Sequence, residues 1–171
     1  MDTKLGLGLA TGMFYHAPAG TALPTDPTAT IPNAWTHVGD VTNDGITLTM
    51  DKSVENLRNW ANVIKRVIMT EHTETIQAPI MDTTEEVLKT VLGEDNVTTA
   101  SDITTVNLSA ASLPAEEAFL FVMKDGDDMM MIGCTNGQVT SVDDVTFAPE
   151  SAINWVPTIT AMGDGFQFIM K

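Results

Sequence analysis

Cysteine, histidine and cations are scarce in this chain of 171 residues, and each scarcity removes a class of function. The single cysteine, Cys134, excludes an intramolecular disulfide framework and any cysteine-based zinc site. It sits in an apolar run with no neighbouring cation to activate a thiolate, so it reads as a buried structural residue. His16, His37 and His72 stand alone, in no HExxH motif or i,i+4 pair, and read as structural rather than metal-ligating. Gly6-Leu7-Gly8 lacks the third glycine of a dinucleotide loop, and no G-x-S-x-G or Walker motif occurs. Asp125-Gly126-Asp127-Asp128 looks superficially like a calcium loop but lacks the alternating acids and distal Glu, so it reads as a solvated hairpin turn. The expectation is no enzyme, no metal and no cofactor. No uncharged apolar run reaches the about 18 residues that span a bilayer. Met1 is not followed by a basic segment and an apolar one, so no signal peptide is expected and a reducing cytoplasm fits.

Basic residues are few as well. Eight Lys and Arg stand against 23 Asp and Glu, a net charge of −15. High-affinity binding to nucleic acid needs cations facing phosphates, so this balance argues against it. The acidity reads either as solubility or as a surface that repels polyanions. It is uneven: residues 90–170 hold 12 acids and only Lys124, whereas Lys52, Arg58, Lys65 and Arg66, four of the eight bases, fall within fifteen residues.

What the chain does have is threonine, 25 of them, with many Val and Ile residues, a composition that favours pleated, half-buried strands. A length of 171 residues makes one domain with a sizeable core the default. Residues 1–12 are Gly/Leu-rich and read as a flexible arm that orders on a partner. Residues 13–17 read as a short strand. A long loop of about residues 17–34 follows, stiffened by Pro18, Pro24, Pro27 and Pro32 and charged only at Asp26. Loops of that length are usually functional or disordered, and a stiffened, weakly charged one suggests a docking surface. Trp35 to Val41 is a second strand, Asn43-Asp44-Gly45 a turn, and Ile46, Leu48 and Met50 alternate as in a half-buried strand.

From Asp51 to Trp60 the sequence allows a short amphipathic helix capped by Ser53, with a structured loop as the competitor. Residues 63–80 read as a hairpin or one long bent ribbon. Thr83 and Glu86 form a capping box for a helix over 83–93 ending at Gly93. Residues 94–102 read as loop, 103–108 as a strand and 109–117 as loop. The apolar run 118–124 is a central strand that turns at Asp125–Asp128 and pairs with 129–134. Asn136-Gly137 signals a second hairpin turn. Pro157 marks an edge or the end of a strand, and 166–170 closes the chain. Many short strands with one helix imply a mainly β fold, a β-sandwich or barrel with one flanking α-helix.

The order of these segments carries more than any one of them. Ala17 to Asp26 (APAGTALPTD), Val38 to Ile46 (VGDVTNDGI), Asp51 to Trp60 (DKSVENLRNW) and Thr83 to Gly93 (TTEEVLKTVLG) succeed one another as counterparts of four segments of a known family. Over roughly residues 13–97 the chain resembles the major tail tube proteins of long, non-contractile-tailed bacteriophages. One departure is Asp82, where members often carry Glu before the helix. The resemblance implies a single tail-tube domain whose copies form hexameric rings that stack into a hollow conduit for double-stranded DNA ejection. It implies tape-measure, tail-terminator and distal tail or tip proteins as partners, a place in the virion tail, and assembly in the host bacterial cytoplasm. An acidic lumen would let DNA pass without binding.

On that reading Tyr15, Pro18, Leu23, Pro24, Pro27, Trp35 and Trp60 are candidates for contacts within and between rings. Glu71 and Glu74, on strands, and Asp125, Asp127 and Asp128, in a hairpin that could equally sit on the outer wall, are candidates for the lumen. The alternative is another virion β-domain, a capsid decoration or tail-completion protein.

Overall fold

The computed structural model describes residues 3–9, 13–109 and 112–171. They build a mainly β structure with one α-helix. The strands are β1 (Leu7–Gly8), β2 (Phe14–Pro18), β3 (Thr36–Gly39), β4 (Thr47–Arg58) and β5 (Ile64–Gln77). After helix α1 (Glu85–Leu92) come β6 (Val97–Ala100), β7 (Ile103–Val106), β8 (Glu117–Asp125), β9 (Asp128–Val142), β10 (Pro157–Ala161) and β11 (Gln167–Met170). The main sheet runs β3-β2-β8-β9-β10-β5-β4, with β1 added to β8 and β11 to β9; β6 and β7 form a separate two-stranded sheet.

The centre is the β8–β9 hairpin, whose apolar run alternates between two faces. Phe119 and Phe121 face one side with Ile132, Cys134 and Val139, and that side is covered by Val87, Leu88 and Val91 of α1. Ala118, Leu120, Val122 and Met131 face the other side. Here the long loop between β2 and β3 lies over the sheet, with Trp35, Leu23 and Ile31 on the same cluster. Both faces are therefore sealed, one by a helix and one by a loop. Phe14 and Phe121, register partners on neighbouring strands, stack with centroids 4.5 Å apart. Each such fully buried ring contributes about 1.5–3 kcal/mol of transfer free energy.

Several local expectations change. The helix starts one residue later than the capping box suggested: Thr84 is the N-cap and accepts from the Val87 N–H at 3.3 Å. Thr83 instead accepts a hydrogen bond from the Trp155 indole at 3.2 Å. The helix ends at Gly93, whose φ of 97° suits a residue without Cβ. Residues 94–102, expected as loop, contain a 3₁₀ turn (Glu94–Asn96) and β6.

Asn136-Gly137 makes no turn, because β9 runs straight through it. Gly137 is there for space: a Cβ would lie 2.9 Å from the Cys134 sulfur and 3.1 Å from the Phe119 ring. Pro157 begins β10, which is an interior strand, so its missing N–H falls at the strand's end. Of the expected arm, Leu7 and Gly8 pair with Lys124 and Met123 of β8. Residues 1–2 and 10–12 of it lie outside the described residues.

The largest correction concerns Asp51–Trp60. It is neither helix nor loop for most of its length but strand β4, paired with β5 through twelve register positions from Thr47↔Gln77 to Arg58↔Ile64. Val54 and Leu57, which suggested a helical stripe, lie on opposite faces of this ribbon. Cross-strand partners share a face, and Val54 partners Met69 while Leu57 partners Arg66.

Candidate functional site

The β4–β5 ribbon is attached to the sheet only at its base, where β10 pairs with Thr75–Gln77. Beyond Glu74 the described residues pair with nothing but each other, and both outer edges keep unpaired backbone groups. Nine residues of β4, 50–58, project from this base, about 30 Å at the rise of a strand. Every residue of β4 is exposed. Two-stranded ribbons without a covered face are marginal in water, and open edges are templates for pairing with another chain.

The two faces of the ribbon differ in chemistry. Leu48 partners Ile76, which is in the core, so their face continues the core side outward. That side carries Met50, Val54, Val67 and Met69, each 58–61 % exposed, with Lys52 and His72 paired between Met50 and Val54. The opposite face carries Thr49, Asp51, Ser53 and Glu55, partnered by Thr75, Thr73, Glu71 and Ile68. It is a hydroxyl-rich surface with three carboxylates, ending toward the tip in Leu57 and its partner Arg66. An apolar stripe backed by an acidic face, on a strand pair with open edges, has the chemistry of an element completed by neighbours.

The tip is well built. The Asn59 side chain accepts from the Val63 N–H at 2.9 Å, and the Arg58 guanidinium donates to the Asn62 carbonyl at 2.9 Å. Asn62 takes φ +60°, which Asn tolerates better than most residues. Trp60 projects from this turn with its side chain fully exposed (106 %).

The other expected contact residues lie elsewhere. Tyr15 is half-buried and meets His37 edge-on at 5.5 Å. Pro18 is exposed at the end of β2, Pro24 is half-buried and Pro27 buried. Trp35, only 6 % exposed, and Leu23 face the chain's own sheet. The loop is held there by Gly20 N–H donating to the Thr135 carbonyl at 2.7 Å and Lys171 Nζ to Asp26 at 2.6 Å, while Thr28 N–H donates to Asp26 at 2.9 Å within the loop. The Lys171 ammonium, then the Thr28 donors, hold the Asp26 carboxyl down to about 2.

The lumen candidates divide into two groups. Glu71 belongs to the acidic face of the ribbon, together with Asp51 and Glu55, which sequence reading passed over. Glu74 lies on the core side and accepts from the Phe166 N–H at 2.6 Å and from His72 at 2.6 Å. The Phe166 amide and then His72 lower its pKa, which marks it as a tie between β5 and the turn before β11. Asp125, Asp127 and Asp128 sit in the β8–β9 turn, two strands away in the sheet. There Asp125 accepts from the Leu5 N–H at 3.1 Å and Asp128 pairs with Lys4.

A second polar cluster was not foreseen. His16 of β2 bridges Glu117 of β8 (Nδ1, 3.0 Å) and Glu86 of α1 (Nε2, 2.7 Å). Burial alone would lower its pKa, but the two carboxylates outweigh that and raise it. The bridge clamps the helix to the sheet. Cys134 is buried with its thiol pushed up to about 11, the state of a core residue rather than a nucleophile.

A family model described as phage tail tube protein matches residues 7–171. No curated protein matches the chain. Among solved structures, a chain of the anti-feeding prophage tube-terminating cap, solved by cryo-EM, aligns at TM-score 0.50 and 11 % identity over 100 % of this chain and 97 % of that one. This likeness shows a shared fold. A chain from the virion of a native gene transfer agent particle aligns at TM-score 0.46 and 6 % identity, over 82 % and 92 % of the two chains.

Proposed function

The chain belongs to the phage tail tube protein family, a structural and not an enzymatic family, and we propose on that premise that six copies close into a ring and that rings stack into the tube. As a member it is a virion tail component that self-assembles with other tail components. The observation that carries the finer reading is the β4–β5 ribbon: about 30 Å of paired strand with two open edges and one face that exposes Met50, Val54, Val67 and Met69. Ribbons of neighbouring copies satisfy one another's edges and form a continuous wall. The apolar stripe of Met50, Val54, Val67 and Met69 then faces outward onto subunit bodies. The face bearing Asp51, Glu55 and Glu71 turns to the channel, where repulsion of phosphates lets double-stranded DNA pass without specific binding.

In this reading the chain is one tail-tube domain. Its N-terminal arm and the exposed rim of the 17–34 loop, Pro18 included, contribute contacts between rings. The tape-measure protein, tail terminator and distal tail proteins are its other partners, and assembly takes place in the host cytoplasm.

Negative-stain microscopy of the purified protein tests the reading. Six-fold rings or tubes with a central channel are expected. A protein that stays monomeric at high concentration would contradict it.

A further inference from the structure

The ribbon's tip differs in charge from everything else in the chain. Residues 56–68 contain Arg58, Lys65 and Arg66 and no acid, a charge of +3; the whole chain carries −15, which leaves −18 on the remainder. Lys65 is the residue left over at the register shift between Leu57↔Arg66 and Arg58↔Ile64. A bulge of this kind re-aims side chains and twists the ribbon end. Among the described residues the lysine ion pairs use Lys4, Lys89 and Lys171, and neither Lys65 nor Arg66 takes part in an ion pair. Between these cations stands Trp60, fully exposed on a turn already fixed by Arg58 and Asn59. Trp and Arg are the residues that most often anchor protein interfaces, and a pre-ordered tip loses little entropy on docking.

We propose that residues 56–68 form a cationic plug, anchored by Trp60, that seats on the acidic body of a neighbouring copy and sets the direction in which copies join. This deepens, and rests on, the reading of the chain as a self-assembling tube subunit. The occupant follows from charge complementarity. A tip of +3 on a chain whose remainder carries −18 is attracted to the remainder of any other copy, while the like-charged remainders repel and ribbons repel ribbons at their ends. Head-to-tail docking of two unlike patches on one molecule is heterologous, the geometry of rings and filaments. Double-stranded DNA is the competing ligand for a basic, aromatic tip. It is disfavoured because three cations on a chain of −15 make a weak phosphate site, and because the ribbon's apolar stripe has no use on a phosphate backbone.

The test compares the wild type with Lys65→Glu, Trp60→Ala and, as a control for net charge, Lys124→Glu on β8. Each is checked by circular dichroism melting, and assembly is followed by sedimentation and microscopy between 50 and 500 mM NaCl (about 14 to 4 Å of screening length). The proposal expects Lys65→Glu and Trp60→Ala to raise the critical concentration about tenfold or more. It expects Lys124→Glu to leave it within about twofold, and salt to weaken wild-type assembly. Equal effects of Lys65→Glu and Lys124→Glu overturn it while leaving the tube reading intact. So does wild-type binding of a labelled 30-bp duplex that Lys65→Glu abolishes while assembly is unchanged. A wild-type protein that forms neither rings nor tubes removes both.

Discussion

The β8–β9 hairpin and the β4–β5 ribbon are built from similar residues and have opposite fates. Both are long antiparallel pairs rich in Val, Ile and Met. In β8–β9 both faces are covered, by α1 on one side and by the 19–35 loop on the other, and both edges are paired with further strands. In β4–β5 neither face is covered beyond the base, and the outer edges are open. The first stabilises the subunit. The second gains little within it, and what it lacks is what another copy can supply. In the proposed tube, stability and assembly fall to different strands of one sheet.

That division predicts where substitutions act. The largest effect on the subunit is expected at the core: Phe121→Ala should cost about 3–5 kcal/mol in urea unfolding, since it removes a fully buried ring stacked on Phe14. Val67→Asp on the ribbon should change subunit stability by no more than about 0.5 kcal/mol, as at other exposed sites, yet abolish tubes in the microscope. If Val67→Asp unfolds the subunit, the contrast between the two pairs fails. Next in size is Gly137→Ala, expected to cost about 1–3 kcal/mol by forcing a methyl against Cys134 and Phe119.

A smaller effect, about 1 kcal/mol, is expected from His16→Gln, which loosens the clamp between α1 and the sheet. Its sign with pH follows from the raised pKa. The folded state holds the proton more tightly than the unfolded one, so the contribution is full below the unfolded value of 6.5 and fades as pH rises through the folded value. The gap in melting temperature between wild type and variant should therefore shrink from pH 5.5 to pH 8. A gap that grows would place the stabilisation elsewhere.

The same comparison explains what could be read from the sequence. The run AFLFVM announces a buried central strand because six successive positions are apolar, and β8 lies there. The helix was legible from its cap, apolar stripe and terminal glycine, with the cap displaced by one threonine because Thr83 is engaged by Trp155. Gly137 was misread because a glycine needed for packing is indistinguishable in sequence from one needed for a turn. The ribbon was misread for a deeper reason. Both its faces are exposed in the subunit, so the alternation that marks a half-buried strand is diluted by charges, and Val54, Leu57, Ala61 and Ile64 imitate a helix. The long loop drew attention as a docking surface because of its prolines. Its Trp35 and Leu23 instead pack in the chain's own second core cluster, and its Pro27 is buried. The acidic face of Asp51, Glu55 and Glu71 could not be assembled without the register.

The most direct test is amide hydrogen exchange on the subunit and on the tube, read separately for residues 50–58 and 64–73 and for β8. In the subunit the ribbon should exchange close to the unprotected rate while β8 stays protected. In the tube the ribbon should slow by about 100-fold or more, with β8 little changed. A ribbon already as slow as β8 in the subunit, or still fast in the tube, would contradict the claim that neighbouring copies complete it.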